Sequence, residues 1–337
     1  MALSDDLEAP APPRGVAAVR RLLGAQTAWI VALLLVVISV FALLRPAEFA
    51  TIDNFRNMAV DASGLLLLAV GMTFVIVTGG IDLSVGAVLT FSSITAGKVM
   101  ESRGGNGVGT ILLGLAVALI SGLGWGFLNG FVIARSRVTP LIVTLGSLGM
   151  AEGAGLLITD VNVRTVPSSL TDLGIGRLGG QVPYLVLIAV GVVLVAGLAL
   201  ALTRFGRYTY AIGSNAEAAR RAGVNIHWHL IKVYAISGGL AGLAGFLSLA
   251  RFSTTTIGGH STDNLQAIAA VVIGGTSLFG GIGTILGSAI GVLIPVVLQN
   301  GFIIVGVQPY WQEVAVGAVL IAAVYVDQLK RRSRAHG

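Results

Sequence analysis

Long apolar runs follow one another from Trp29 almost to the C-terminus, separated by short polar or glycine-containing joints. Each run is about 17–25 residues long, which at 1.5 Å per residue crosses a hydrocarbon core of about 30 Å. The pattern predicts ten membrane spans over about residues 28–44, 62–78, 83–99, 108–133, 139–159, 184–203, 231–250, 264–279, 284–305 and 311–327. The expected fold class is therefore an all-α polytopic membrane protein of about ten transmembrane helices. Two joints are short enough to be either tight turns or breaks within one longer helix: Gly79-Gly80-Ile81-Asp82 and Gly280-Gly281.

Local signals fit this division. Thr139-Pro140 reads as the N-cap and first residue of the fifth span. Pro309-Tyr310-Trp311 puts aromatic rings where the tenth span would enter the membrane. Pro295 lies inside the ninth, where neighbouring helices must cover the carbonyl it frees. Small residues at Gly238, Gly242 and Gly245 recur along one helix face and suit close backbone packing. Residues 79–86 (GGIDLSVG) and 274–281 (GGTSLFGG) share G-G-x-x-L-x-x-G, an echo consistent with a duplicated five-plus-five arrangement.

Charge then sets the orientation. Residues 1–27 are polar, Pro/Ala-rich and finally basic, with no small-residue cleavage site after the first span, so they are expected to be a disordered cytoplasmic tail. With that end inside, ten spans place 134–138, 204–232 and 328–337 inside too. These segments and the tail hold 14 of the 21 Lys and Arg residues, including the cluster Lys330, Arg331, Arg332 and Arg334. The excess follows the positive-inside rule and favours an even span count with both termini cytoplasmic. The expected domains are the tail 1–27, a transmembrane domain 28–327 containing the polar segment 204–232, and a basic cytoplasmic end 328–337.

Composition narrows the chemistry. The chain is 55% hydrophobic, 11% charged and free of cysteine, which excludes a disulfide scaffold, thiolate zinc and thiol catalysis. A net charge of +6 in such a chain reports topology and not nucleic-acid binding. There is no P-loop, no G-x-S-x-G elbow and no H-E-x-x-H. His227, His229, His260 and His336 all fall outside the expected spans, and His227-x-His229 alone makes a poor metal site. No catalytic residue, metal ligand or cofactor is expected. Asp82 and Glu152 are the ionisable groups nearest the membrane interior, with Asp61 and Glu313 at span edges. Asp82 suits an N-cap accepting from the amides of Ser84 or Val85, and it also suits a polar element of a broken helix beside a translocation path.

Within 204–232, residues 213–223 read as one short helix with both ends marked. Asn215 is the N-cap, Glu217 sits at the positive end, Arg220 and Arg221 at the negative end, and Gly223 supplies a left-handed stop. About seven helical residues cannot stand alone, so this helix must dock on something. Ala216, Ala218, Ala219 and Ala222 keep its girth small, as a groove would require; the alternative is a helix resting on anionic lipid through its arginines.

GGIDLSVG at 79–86, G-x-N-x-x-A-A-x-x-x-G at 213–223, AIAAVVIGGTSLFGG at 267–281 and Pro309-Tyr310-Trp311 occur in one order and spacing. Together they resemble the membrane permease subunit of ribose-type ABC sugar importers, over about residues 28–330. The resemblance implies a bacterial inner-membrane permease that passes a monosaccharide, with a cytoplasmic ABC ATPase, a periplasmic sugar-binding protein and a second permease subunit, identical or paralogous, as partners. It implies a coupling contact with the ATPase at Gly213, Asn215, Glu217, Ala218, Ala219, Ala222 and Gly223, and a path signature at Gly79, Gly80, Asp82, Ser84, Gly274 and Gly275. Within that class a nucleoside, polyol or furanosyl signal is the alternative solute; an ion-coupled carrier is the alternative from another class.

Overall fold

The computed structural model describes residues 25–136, 138–158, 162–163, 166–308 and eight positions between 310 and 325. Of the expected tail 1–27, residues 1–24 lie outside the described residues and 25–27 already belong to the first helix; the expected end 328–337 also lies outside them. Helices α1 (Ala25–Leu44), α2 (Pro46–Phe49), α3 (Ile52–Val77), α4 (Val85–Arg103), α5 (Val108–Ser136) and α6 (Pro140–Ile158) form the first half. Then follow α7 (Ser168–Ile175), α8 (Tyr184–Leu202), α9 (Arg204–Ser214), α10 (Ala216–Arg221), α11 (Ile226–Phe252), α12 (Asp263–Ile273) and α13 (Ile285–Val305). Among the described residues, strand content is confined to two-residue pairs: Asn162–Val163 with Thr255–Thr256, and Arg177–Leu178 with Val182–Pro183.

Seven of these helices are long and apolar enough to cross a membrane: α1, α3, α5, α6, α8, α11 and α13. The chain is an all-α polytopic membrane protein. α4 has the length to cross but is more polar. Protein covers most of it, and its two threonine hydroxyls bond back to their own helix, Thr90 to the Gly86 carbonyl and Thr95 to that of Phe91. The expected span 264–279 is shorter than its pattern suggested: α12 stops at Ile273, about 16 Å from its start, because Gly274-Gly275 turns the chain. The tenth span, 311–327, falls mostly outside the described residues; Trp311, Val314, Ile321 and Tyr325 within it are helical.

α11 is the centre of the bundle. Its small-residue face lies against α5 so closely that a side chain at Gly122 would stand 2.9 Å from the Gly242 backbone, and one at Gly126 would overlap the Tyr234 carbonyl. Backbone contact of this kind replaces hydrophobic drive where the surrounding solvent is itself apolar. α3 runs antiparallel to α11 on another side, with Gly71 against Ser237 and Asp61 against Arg251. Because α11 begins at Ile226, His227 and His229 belong to its first turn and not to a loop.

Candidate translocation and coupling sites

The capped helix forms as its sequence implies. The Ala218 amide donates to Asn215 Oδ1 at 2.9 Å, Gly223 adopts φ +85°, and the Val224 amide closes the stop on the Ala219 carbonyl at 3.1 Å. Glu217 pairs with Arg220 at 2.7 Å and Arg221 at 3.2 Å. Ala216, Glu217, Ala218 and Ala222 are exposed, whereas Ala219 is 5% exposed and turns toward the body of the chain. The helix therefore sits on its own protein by one face and offers the other.

Its entry is bound into the bundle. A side chain at Gly213 would overlap the Val77 carbonyl and stand 2.5 Å from the Gly281 amide. That amide donates to the Val77 carbonyl at 2.9 Å. Tyr210 of α9 donates its hydroxyl to the Gly283 carbonyl at 2.6 Å, and burial raises this phenol above its ordinary pKa of 10.0, so it stays a donor. The end of α3, the joint between α12 and α13, and the entry to α10 thus meet at one point.

Both glycine-containing joints are turns that stop a helix the same way. The amides of Gly79 and Gly80 donate to the carbonyls of Ile76 and Val75; those of Gly275 and Thr276 donate to Val272 and Val271. Gly79 and Gly275 take the positive φ that such a stop requires, +82° and +90°. The equivalence is Gly79 with Gly275, one residue out of register with the sequence echo. Asp82 consequently corresponds to Leu278, and only the first joint carries a carboxylate. Gly274 has negative φ, and a side chain there would stand 2.5 Å from the Gly287 carbonyl.

Beyond Gly80 a short non-helical segment ending in a turn at Leu83-Ser84 leads through the bundle to α4, and every step is held by a different helix. Thr144 of α6 donates to the Ile81 carbonyl at 3.2 Å, and Asn264 of α12 to that of Leu83 at 2.9 Å. Asp82, 1% exposed, accepts from the Ser84 amide at 3.0 Å, the Ser84 hydroxyl at 2.6 Å and the Ser237 hydroxyl of α11 at 3.1 Å. Asn129 of α5 donates to Ser84 Oγ at 2.9 Å. Ser237 lies about 16 Å along α11 from Ile226, so this irregular segment sits near the middle of the bundle. Non-helical backbone at that depth is tolerated only when protein satisfies its polar groups.

A cavity of about 340 Å³ opens at the end remote from α10, between α3, α11, α12 and α13. Asp61 and Arg251 pair across it at 2.5 Å. His260 contacts Asp263 at 2.7 Å and Ser248 at 2.9 Å.

Residues 54–324 match the family described as "Branched-chain amino acid transport system / permease component". The chain belongs to this permease family. The permease is 40% identical over 303 residues to the ribose import permease protein of Escherichia coli strain K12, covering 88% of this chain and 92% of that protein. It is 34% identical to the D-allose transport system permease of the same strain (88% and 90% covered) and 33% identical to its galactose/methyl galactoside import permease (90% and 93%). No solved structure matches. The permease is a transport component and not an enzyme.

In the permease, the sequence-derived site residues fall into one buried network and one exposed helix. Gly79, Gly80, Gly274 and Gly275 shape the two turns, Asp82 and Ser84 fix the re-entering segment, and none of the six lines the cavity. Asn129, Thr144, Ser237 and Asn264, which hold that segment, carry no local pattern in the sequence. Asp61 was visible at a span edge; its partner Arg251 and the neighbouring His260 were not. Glu152 makes no hydrogen bond or ion pair among the described residues. His227 and His229 are engaged separately, by the Ala134 carbonyl and by Thr209.

Proposed function

We propose that the permease forms the translocation path of an ATP-driven monosaccharide importer in a bacterial inner membrane. The observation that carries this reading is 40% identity across 88% of the chain to a ribose import permease. A cytoplasmic ABC ATPase supplies the energy, a periplasmic binding protein delivers the sugar, and a second permease subunit, identical or paralogous, completes the path. Ten spans with both termini cytoplasmic put α10 on the ATPase side, supported by the basic residues of 204–232. Asn215, Glu217, Ala218, Ala222 and Gly223 offer the exposed face of the coupling contact, and Gly213 and Ala219 seat it on the permease. Its support is a helix capped at both ends, exposed on one face and tied through Gly213 to both chain turns. Gly79, Gly80, Asp82, Ser84, Gly274 and Gly275 act as the pivots of the path.

Proteoliposomes containing the permease and its ATPase, supplied with ribose-loaded binding protein, test this directly. Uptake of D-ribose should require internal ATP. Uptake driven by an ion gradient without ATP or ATPase would assign the chain to the secondary carriers.

A further inference from the structure

We propose that the cavity remote from α10 is the permease's own binding site for an uncharged, polyhydroxylated solute. The proposal rests on the importer reading above and adds that the membrane subunit itself recognises the solute, in addition to any soluble binding protein.

Size and charge both point there. The cavity, about 340 Å³, falls within the range of about 300–1,000 Å³ usual for small-molecule sites. Among the described residues, the one cation lining it is already matched, Arg251 by Asp61 at 2.5 Å, and Asp263 is hydrogen-bonded to His260 at 2.7 Å. An anionic solute would have to compete with Asp61 for Arg251, whereas a neutral one need not. Hydrogen-bonding capacity is left over. The Nε of Arg251 is buried without a partner, although the same guanidinium holds Asp61. An unmatched buried donor is costly unless something fills it. Gln266 and Gln299 add two side-chain amides that line the cavity with no hydrogen-bond partner among the described residues. Each amide offers a donor and an acceptor, and each carboxylate retains further lone pairs. Interleaved donors and acceptors suit hydroxyl groups, which are both at once. Phe252 contributes a half-exposed aromatic face with the Arg251 guanidinium 5.3 Å from its ring centroid, a surface for the C–H face of a sugar ring. Leu89, about one helical turn into α4, also lines the cavity, so the site adjoins the helix that follows the clasped segment.

The natural chain has no cysteine, so an engineered thiol is unique. Gln266→Cys and, as a second cavity position, Gln299→Cys would be made in the permease–ATPase complex in nanodiscs, with Ser102→Cys on the exposed end of α4 as the control. The rate of labelling by a membrane-impermeant maleimide is measured with D-ribose, D-allose, D-galactose or L-leucine present. Sugar should slow labelling several-fold at both cavity positions and leave Ser102→Cys unchanged. If no compound protects either position while the wild-type complex imports D-ribose, the cavity is not a solute site and the importer reading stands. Protection by L-leucine but by none of the sugars, with no sugar uptake, overturns both.

Discussion

The Gly281 amide donates to the Val77 carbonyl at 2.9 Å, and Gly213 fits into the corner between them without room for a Cβ. A motion of α10 therefore bears directly on the end of α3 and on the joint leading to α13. Gly213→Val should strain this junction by about 1–3 kcal/mol, the cost of overpacking, at the upper end because the obstructing atoms are backbone. A lower thermal transition in detergent and loss of ATP-driven uptake are the expected readouts; wild-type values for both would remove the junction from the coupling route.

The outward face of α10 should be separable from its inward one. Ala218 is exposed, so Ala218→Trp should leave membrane abundance normal while the ATPase no longer co-purifies. Ala219 is buried against its own chain, so Ala219→Trp should instead lower the abundance of the permease itself. Gly223→Val forces a β-branched residue to φ +85°, which costs about 1–2 kcal/mol and should unwind the helix stop. Retention of the ATPase by Ala218→Trp with undiminished uptake would count against the coupling assignment.

Asp82 binds three donors with two oxygens. Asp82→Asn keeps one acceptor for Ser84 and can donate to Ser237, whose hydroxyl accepts as readily as it donates, so stability should change little. Asp82→Ala strands the Ser84 amide and should cost about 1–3 kcal/mol. Comparing the thermal transitions of the two variants checks the clasp. Their uptake rates then separate charge from structure, since a defect in Asp82→Asn with wild-type stability would make the negative charge itself part of transport.

Packing along α11 predicts a sharp positional contrast on α5. Gly126→Val would overlap the Tyr234 carbonyl, whereas nothing lies within 4 Å of a side chain at Gly124. Gly126→Val should fail to yield a monodisperse protein on size-exclusion chromatography, and Gly124→Val should elute as wild type. Equal behaviour of the two would mean that α5 and α11 do not approach so closely in the membrane.

Sidedness is open to the same unique-thiol approach. Glu217→Cys and Ser102→Cys should react with an impermeant maleimide from opposite faces of the membrane, the former only in inside-out vesicles. Labelling of both from one side would break the ten-span arrangement.

Much of the fold was legible because membrane helices are written locally. Twenty apolar residues, a Pro at a first turn, an Asn before a helix and a Gly after it act within a few residues of themselves. The α10 caps at Asn215 and Gly223 and the start of α6 at Pro140 accordingly agree with the sequence. Hydropathy did less well wherever protein replaced lipid as the surroundings: α3 and α11 extend beyond their apolar runs, α4 is polar yet shielded, and α12 ends at a turn that composition alone could not tell from a span.

What only the tertiary structure decided lies in the long-range pairs. Asp82 and Glu152 look alike in sequence, each a lone carboxylate in an apolar stretch; packing surrounds the first with Ser84 and Ser237 and leaves the second half-buried without a described partner. Asp61 with Arg251, Asn264 with the Leu83 carbonyl and Gly281 with Val77 each join positions more than 180 residues apart. Single polar residues acquire such partners only when helices dock, because the geometry of a hydrogen bond is fixed by the relative placement of two elements and not by the neighbours of either along the chain.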